Sequence, residues 1–280
     1  MDVRKFLKNA NGRLRAGISI TLFFLILGFV VYYIPHPNPF SYNTYPRRLS
    51  PSPDHFFGTT SMGQDVFWLL IEAIHNSLVI GFIVALIGTV VGVFVGLLAG
   101  FSGGFLDRIL MVVTDTFVVI PSLPILILMT SLMRGSATVI LMALVLAIFA
   151  WAWPSRQIRS LALSLKERDF IHTAWFSGEG TVQVIVTEIL PYALTWSLSN
   201  FMNATLSAIA SESALAVLGL SPANLISLGN MIQWARERNA IFTNQWNWIG
   251  PPIIATIVLF IGLFLLITGY NDYLSMKRGR

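Results

Sequence analysis

Six long apolar runs dominate this sequence and restrict the folds that are open to it. A helix needs about 20 mostly apolar residues to cross the hydrocarbon layer of a bilayer. The candidate spans are residues 16–34, 77–100, 109–133, 137–153, 196–220 and 252–270. These runs are continuous and do not alternate between polar and apolar residues, which favours helices over a membrane β-barrel. The sequence therefore predicts an all-α, polytopic membrane protein with six transmembrane helices.

The low charge content points to the same class. Charged residues make up 11% of the 280 residues, whereas about 25% is usual in soluble globular proteins. An apolar fraction of 55% excludes intrinsic disorder. The net charge of +5 comes from scattered basic residues, so it does not indicate a surface that binds nucleic acid.

The distribution of basic residues predicts how the chain is oriented in the cell membrane. With the N-terminus in the cytoplasm, 13 of the 18 Lys and Arg residues fall on the cytoplasmic side and five fall outside. The positive-inside rule therefore predicts that both termini are cytoplasmic. The predicted divisions are a cytoplasmic segment 1–15, a first span 16–34, an outer loop 35–76, a membrane core 77–270 and a cytoplasmic tail 271–280.

The cytoplasmic loop 154–195 contains the pattern of a short helix. Pro154 is expected to end the fourth span because proline lacks a backbone donor, and a helix over 157–165 is expected to follow. A second short helix then has Ile171 and Trp175 four residues apart on one face. Such a helix suits docking into the groove of a partner protein. The alternative is an interfacial helix that lies on lipid.

Two acidic residues lie within the apolar runs. A charge at the centre of a bilayer costs about 3 kcal/mol on insertion scales, so it is expected to face protein or water. Asp115 is expected either to line a pathway or to pair with Arg108. Glu212 is expected either to lie on that pathway or to form hydrogen bonds with Ser211 and Asn203.

Several spaced motifs resemble one known family. Gly178, followed thirteen residues later by Pro191, resembles the cytoplasmic-loop signature of ABC importer permeases. The similarity is greatest to the second permease subunit of dipeptide and oligopeptide importers. Further stretches similar to this family are 58–65, 97–107, 120–124 and 212–220. The chain departs from the family pattern at His172, which replaces a glutamate, at Thr173, which replaces an alanine, and at Thr60 and Gln64, which replace an aspartate and an arginine.

The resemblance implies a type I ABC importer permease fold, in which 77–270 is the permease core and the loop helix couples to an ATPase. The implied partners are a homologous second permease, two ABC ATPases, an extracytoplasmic substrate-binding protein and the bilayer. The chain contains no G-x-x-x-x-G-K-[ST] phosphate-binding loop, so ATP and magnesium are expected only in the partner ATPases. The chain is accordingly expected to be non-catalytic and to hold neither a metal nor a cofactor.

The resemblance also implies three groups of functional residues. The ATPase-docking helix would present Asp169, Phe170, His172, Thr173, Ala174, Phe176, Ser177 and Gly178, with Pro191 leading into the next span. The residues of the translocation path or its gate would be Asp115, Asn200, Asn203 and Glu212, and structural or gating roles are favoured for the two acids. In the outer loop 221–251, a re-entrant or scoop-like element would offer contacts to the binding protein through Gly229, Trp234, Arg236, Glu237 and Arg238.

Two rival classes remain less well supported by the residues. An intramembrane enzyme needs paired catalytic groups at one depth, and the predicted depths of Asp115 and Glu212 differ. A secondary transporter usually has internal inverted repeats, and none is visible in this sequence. For an ABC importer, peptide is the preferred substrate, and the alternative is an oligosaccharide such as a cello-oligosaccharide or another β-linked fragment.

Overall fold

The computed structural model describes residues 11–132, 138–222 and 224–278. Residues 1–10 of the predicted cytoplasmic segment, 133–137 between the third and fourth predicted spans, and 279–280 of the tail lie outside these ranges. Regular structure in the described ranges is helical, apart from one isolated antiparallel bridge between Thr59 and Asp65. The helices are α1 (Gly12–Phe29), α2 (Val66–Ser102), α3 (Gly104–Val119), α4 (Ser122–Leu132), α5 (Val139–Ala150), α6 (Ala152–Lys166), α7 (Asp169–Phe176), α8 (Thr181–Val184), α9 (Leu190–Val217), α10 (Leu228–Glu237) and α11 (Trp246–Arg278).

Three of these elements are long and apolar enough to cross a membrane. They are α1 with the 3₁₀ turn that follows it, α2, and α11. Two bent pairs, α3 with α4 and α5 with α6, bring the number of candidate spans in the described residues to as many as five. Helix α9, at the position of the predicted fifth span, is not among them.

The third predicted span, 109–133, is not one straight helix. Helix α3 ends at Val119, and α4 begins at Ser122 after a bend of 79°. Ile120 has an extended backbone, with φ −64° and ψ 124°. This conformation is typical of a residue that precedes proline, and Pro121 has no N–H to continue the helix. The apolar composition of residues 109–133 therefore predicted a membrane-spanning segment but not the bend within it.

Helix α2 begins eleven residues earlier than the predicted second span, so residues 66–76 are helical where the sequence predicted a loop. Asp65 caps the helix, because its Oδ1 accepts hydrogen bonds from the backbone N–H groups of Phe67 at 2.8 Å and Trp68 at 3.3 Å. Polar residues in this added stretch are satisfied by neighbouring elements. Asn76, for example, donates to the carbonyl oxygen of Ile226 at 2.7 Å.

Pro154 does not end a helix, contrary to the prediction from the sequence. Helix α5 ends at Ala150, and α6 begins at Ala152 after a bend of 42°. Pro154 therefore lies in the first turn of α6, where a missing N–H costs no intrahelical hydrogen bond. The helix predicted over 157–165 is therefore longer than expected, because it already begins at Ala152 and ends at Lys166.

The last two long helices also begin differently from the sequence-based boundaries. A π-helical stretch, Ile185–Ile189, joins α8 to α9, so the chain is helical from 181 to 217 and Pro191 lies inside this rod. Helix α11 begins at Trp246, six residues before the predicted sixth span, and contains Pro251 and Pro252 in its second turn.

Helix α2 is the central element and packs against α1, α3, α5, α6 and α9. Four of its glycines, spaced four residues apart, form one face: Gly88, Gly92, Gly96 and Gly100. A Cβ atom at Gly92 would lie 2.5 Å from the Cβ of Pro154, and one at Gly96 would lie 2.6 Å from the carbonyl oxygen of Ser155. Helix α6 thus approaches the backbone of α2 closely, as small-residue stripes permit in membrane proteins.

Candidate docking helix and translocation cavity

Helix α7 is anchored to the rest of the chain by its inner face. Ile171 is completely buried, and Ala174 is 8% exposed. Both belong to a hydrophobic cluster that also contains Ile158 of α6, Val184 of α8 and Ile189 of the π-helical stretch. Ala174 was predicted to belong to the docking surface, and the structure corrects this, because its side chain faces inward and is covered by the chain itself.

The outer face of α7 is exposed and partly aromatic. Phe176 is 92% exposed, and Phe170 stacks on Tyr192 with 6.0 Å between ring centroids. The predicted docking residues that share this exposed surface are Asp169, Phe170, His172, Thr173, Phe176, Ser177 and Gly178. A large exposed aromatic residue next to polar groups is typical of a surface that binds another protein.

Gly178 ends α7 with a Schellman motif. Its φ of +88° lies in the left-handed region, which glycine adopts without steric cost. The N–H of Gly178 donates to the carbonyl oxygen of Trp175 at 3.0 Å, and the N–H of Glu179 donates to that of Ala174 at 3.2 Å. This geometry fixes the direction in which the chain leaves the exposed face.

A cavity of about 980 Å³ lies between α2, α4, α5, α6, α9 and the C-terminal part of α11. One wall is a polar stripe along α9 in which each residue follows the previous one by four positions: Thr195, Ser199, Asn203, Ser207 and Ser211. Four-residue spacing places these side chains along one side of the helix. Phe149, Trp153 and Leu126 contribute apolar surface from the other helices. Among the residues that the structure describes, none that lines the cavity carries an ionisable side chain.

Two of the predicted pathway residues, Asn200 and Asn203, line this cavity. The side-chain amide of Asn200 donates to Thr89 Oγ1 of α2 at 3.2 Å, and the amide of Asn203 donates to the carbonyl oxygen of Ser199 at 2.9 Å. Of the stripe itself, only Asn203 was predicted from the sequence. The signal for the other members was present as polar residues that recur at four-residue intervals.

The two acidic residues do not line the cavity. Asp115 forms an ion pair with Arg156 of α6, with 3.1 Å between Nε and Oδ1, and not with Arg108 as one alternative proposed. Glu212 is completely buried and accepts hydrogen bonds from Ser227 Oγ at 2.7 Å and Ser221 Oγ at 3.5 Å. The prediction that Glu212 forms hydrogen bonds with Ser211 and Asn203 was wrong, because its side chain faces the segment that leads into α10 and not the polar stripe of α9.

Helix α10 occupies the middle of the predicted outer loop 221–251. Gly229 is buried, and a Cβ atom there would lie 2.6 Å from Ser213 Cα, so this residue does not fit a contact with a separate protein. Trp234 is partly buried, with its ring centroid 6.2 Å from that of Phe40. The predicted contact residues at the exposed C-terminal end of the helix are Arg236, Glu237 and Arg238.

Comparison of the sequence with known proteins identifies the family of this chain. Residues 92–280 match the model of the family described as "Binding-protein-dependent transport system inner membrane component". The chain belongs to this family. The resemblance predicted from the loop signature is confirmed, and the chain is a multi-pass component of the inner membrane.

Curated relatives of this family member cover most of its length. It is 30% identical to the oligopeptide transport system permease protein OppC of Mycobacterium tuberculosis strain H37Rv over 262 residues, which is 92% of this chain and 87% of the relative. It is 33% identical to OppC of Bacillus subtilis strain 168 over 81% of this chain and 73% of the relative. It is 29% identical to the nickel transport system permease protein NikC of Escherichia coli strain K12 over 87% of each chain.

Proposed function

We propose that this chain is a permease subunit of an ATP-driven ABC importer and that it conducts peptides handed over by an external binding protein. The observation that carries the proposal is the exposed face of α7, anchored through Ile171 and ended by Gly178, in a chain of this family. The choice of peptide is supported by relatives that are named for oligopeptide transport.

The proposed topology has six spans with both termini in the cytoplasm. Five spans correspond to α1, α2, the two bent pairs and α11. The sixth would be α9, whose 28 residues give a length of about 42 Å at 1.5 Å per residue. The polar stripe on α9 lowers its hydropathy, and a helix that borders a cavity has less need of an apolar surface on that side. The excess of Lys and Arg in the proposed cytoplasmic segments supports the orientation.

In this proposal the chain does no chemistry itself. Two partner ATPases bind ATP and magnesium, and each docks on the α7 helix of one permease. The cavity beside α9 would form one half of the path, and a homologous second permease would supply the other half. A wall of neutral hydroxyl and amide groups suits peptides, because it offers hydrogen bonds without selecting for side-chain charge.

Reconstitution of the importer in proteoliposomes tests the proposal. The complete complex is expected to accumulate labelled peptides only with both ATP and the binding protein present. Asn203→Trp is expected to reduce uptake strongly because the indole would fill part of the cavity. Leu198→Trp is the matched control, since this residue lies on an exposed side of α9 away from the cavity. Uptake without ATP, or equal uptake by both variants, would contradict the proposed function.

A further inference from the structure

Helix α6 connects the two parts of the candidate site directly. Its first turn contributes Trp153 and Pro154 to the cavity wall. Its other end packs on the docking helix, because Leu165 and Ile171 belong to the same buried cluster. Only two residues separate α6 from α7, and the N–H of the second, Arg168, donates to the carbonyl oxygen of Leu165 at 3.0 Å. Helices α6 and α7 are therefore joined by a very short stretch of chain and share one buried cluster.

Helix α6 is held on one side by the glycine stripe of α2. A Cβ atom at Gly100 would lie 2.8 Å from that of Ala162, and one at Gly88 would lie 2.8 Å from that of Ala150, the last residue of α5. Together with the contacts at Gly92 and Gly96, this close fit extends from the start of α6 almost to its end. Closely packed backbones of this kind leave little room for one helix to slide along the other.

Helix α6 is held on a second side by two ion pairs to α3. Arg159 binds Asp107 with two parallel hydrogen bonds, Nε to Oδ1 and Nη2 to Oδ2, both 2.6 Å long. Arg156 binds Asp115, eight residues further along α3. Bidentate arginine–carboxylate pairs combine energy with a defined orientation. The pairing is antiparallel, so the two contacts fix both the register and the relative rotation of the two helices.

Helix α9, on the opposite wall of the cavity, has no comparable tie to α6. Among the described residues, no ion pair joins α9 to another helix. Its connection to α7 passes through Gly178, Gly180 and the π-helical stretch Ile185–Ile189. The docking helix contacts α6 through Leu165 and the start of α9 through Tyr192, and its covalent link to α6 is the shorter of the two.

We propose that Asp107, Asp115, Arg156 and Arg159 are positioning residues that clamp α3 to α6. The clamp makes α3 and α6 move with α7 as one rigid body, so that a displacement of α7 carries α3 along with the α6 wall of the cavity. This inference rests on the proposed function for the role of α7 as the ATPase contact. The close packing of α2 on α6 and the two ion pairs between α3 and α6 are features of the structure and do not depend on that function.

Charge variants in the reconstituted importer test the clamp. The isosteric Asp107→Asn is expected to lower the stimulation of ATPase activity by peptide-loaded binding protein about fivefold, with the ATPases still copurifying. The swapped pair Asp107→Arg with Arg159→Asp is expected to restore most of the stimulation. Asp272→Asn is the matched control, because the Arg13–Asp272 pair is exposed and lies on α1 and α11. Normal stimulation in Asp107→Asn, or no rescue by the swap, would overturn the clamp.

Spin-label distances separate the clamp from the proposed function. The chain contains no cysteine, so pairs of labels can be placed at Val112→Cys on α3, Ser160→Cys on α6 and Leu198→Cys on α9. Between the nucleotide-free and ATP-bound complexes, the 112–160 distance is expected to stay constant while the 160–198 distance changes by several ångström. Equal changes in both distances, or no change in either, would overturn the clamp. Absence of peptide uptake by the wild-type importer would instead refute the proposed function.

Discussion

Two short helices, α7 and α10, lie in the loops between long helices, yet they are built in opposite ways. Both end in a Schellman motif, with Gly178 at φ +88° in one and Asn239 at φ 55° in the other. Helix α7 is attached through a few apolar side chains and leaves its other face exposed, with Phe176 at its end. Helix α10 is enclosed along most of its length, and only its C-terminal end is exposed.

The attachment of α10 depends on buried polar contacts. Ser227 caps the helix by accepting from the N–H of Asn230 at 3.1 Å, and its hydroxyl donates to Glu212. The side chain of Asn230 donates to the carbonyl oxygens of Leu225 at 2.5 Å and Pro222 at 3.3 Å. Because all these groups are withdrawn from water, each lost partner would leave a costly unsatisfied atom. Helix α10 is thus part of the chain's own fold, whereas α7 leaves one face exposed, which is the proposed docking surface.

The largest expected effect that separates the two helices is on docking. Phe176→Ala is expected to weaken binding of the partner ATPase by about 3 kcal/mol, as for an aromatic hot spot. The free energy of unfolding should change by less than about 0.5 kcal/mol, because the ring contacts solvent in the isolated chain. Titration of the ATPase onto the permease in nanodiscs measures the first quantity. Phe242→Ala is the matched control, since Phe242 is 87% exposed in the loop after α10 and should leave docking unchanged.

A smaller effect, on stability, is expected in α10. Gly229→Ala would place a Cβ atom 2.6 Å from Ser213 Cα, and such overpacking costs about 1–3 kcal/mol. Thermal unfolding in detergent should therefore occur at a lower temperature, while ATPase docking is retained. Gly250→Ala serves as the control because nothing lies within 4 Å of the position that a Cβ atom would take there. Equal stability of the two variants would show that the α9–α10 contact is looser than the structure indicates.

The smallest expected effect concerns the end of α7. Gly178→Ala forces an alanine into the left-handed region and costs roughly 1–2 kcal/mol locally, so coupled ATPase activity should fall. Gly180→Ala introduces the same methyl group two residues later, where φ is −72° and no atom lies within 4 Å. ATPase stimulation by loaded binding protein should therefore be normal in that variant. A loss of similar size in both would indicate that glycine flexibility, and not the Schellman geometry, matters here.

The features that depend on residues close together in the sequence could be predicted. The alternation of Ile171 and Trp175 with exposed residues and the glycine that follows them gave the short helix α7 and its end. Asn200 and Asn203 were identified as polar side chains near the cytoplasmic end of the predicted fifth span. Pro121 was noted in the sequence, but the break in the helix at this residue was not predicted, because hydropathy carries no information about the direction of the backbone.

The parts that depend on packing between distant segments were not predictable. Asp115 and Arg156 are 41 residues apart, and the sequence offered Arg108 as a nearer partner. The buried position of Gly229 likewise depends on α9, which precedes it in the chain and packs across it. Polar residues in a loop are usually exposed, so the enclosed network around Asn230 gave no recognisable signal.

Site-specific cross-linking most directly tests the claim that α7 is the ATPase-docking surface of an importer permease. Single cysteines can be introduced into this cysteine-free chain at Ser177 of the α7 surface and at Asn239 after α10, both of which are exposed. In the assembled complex, Ser177→Cys is expected to cross-link to the ATPase, and Asn239→Cys should not. Cross-linking of the ATPase at Asn239, or no cross-link at Ser177 in a complex that transports peptide, would contradict the account.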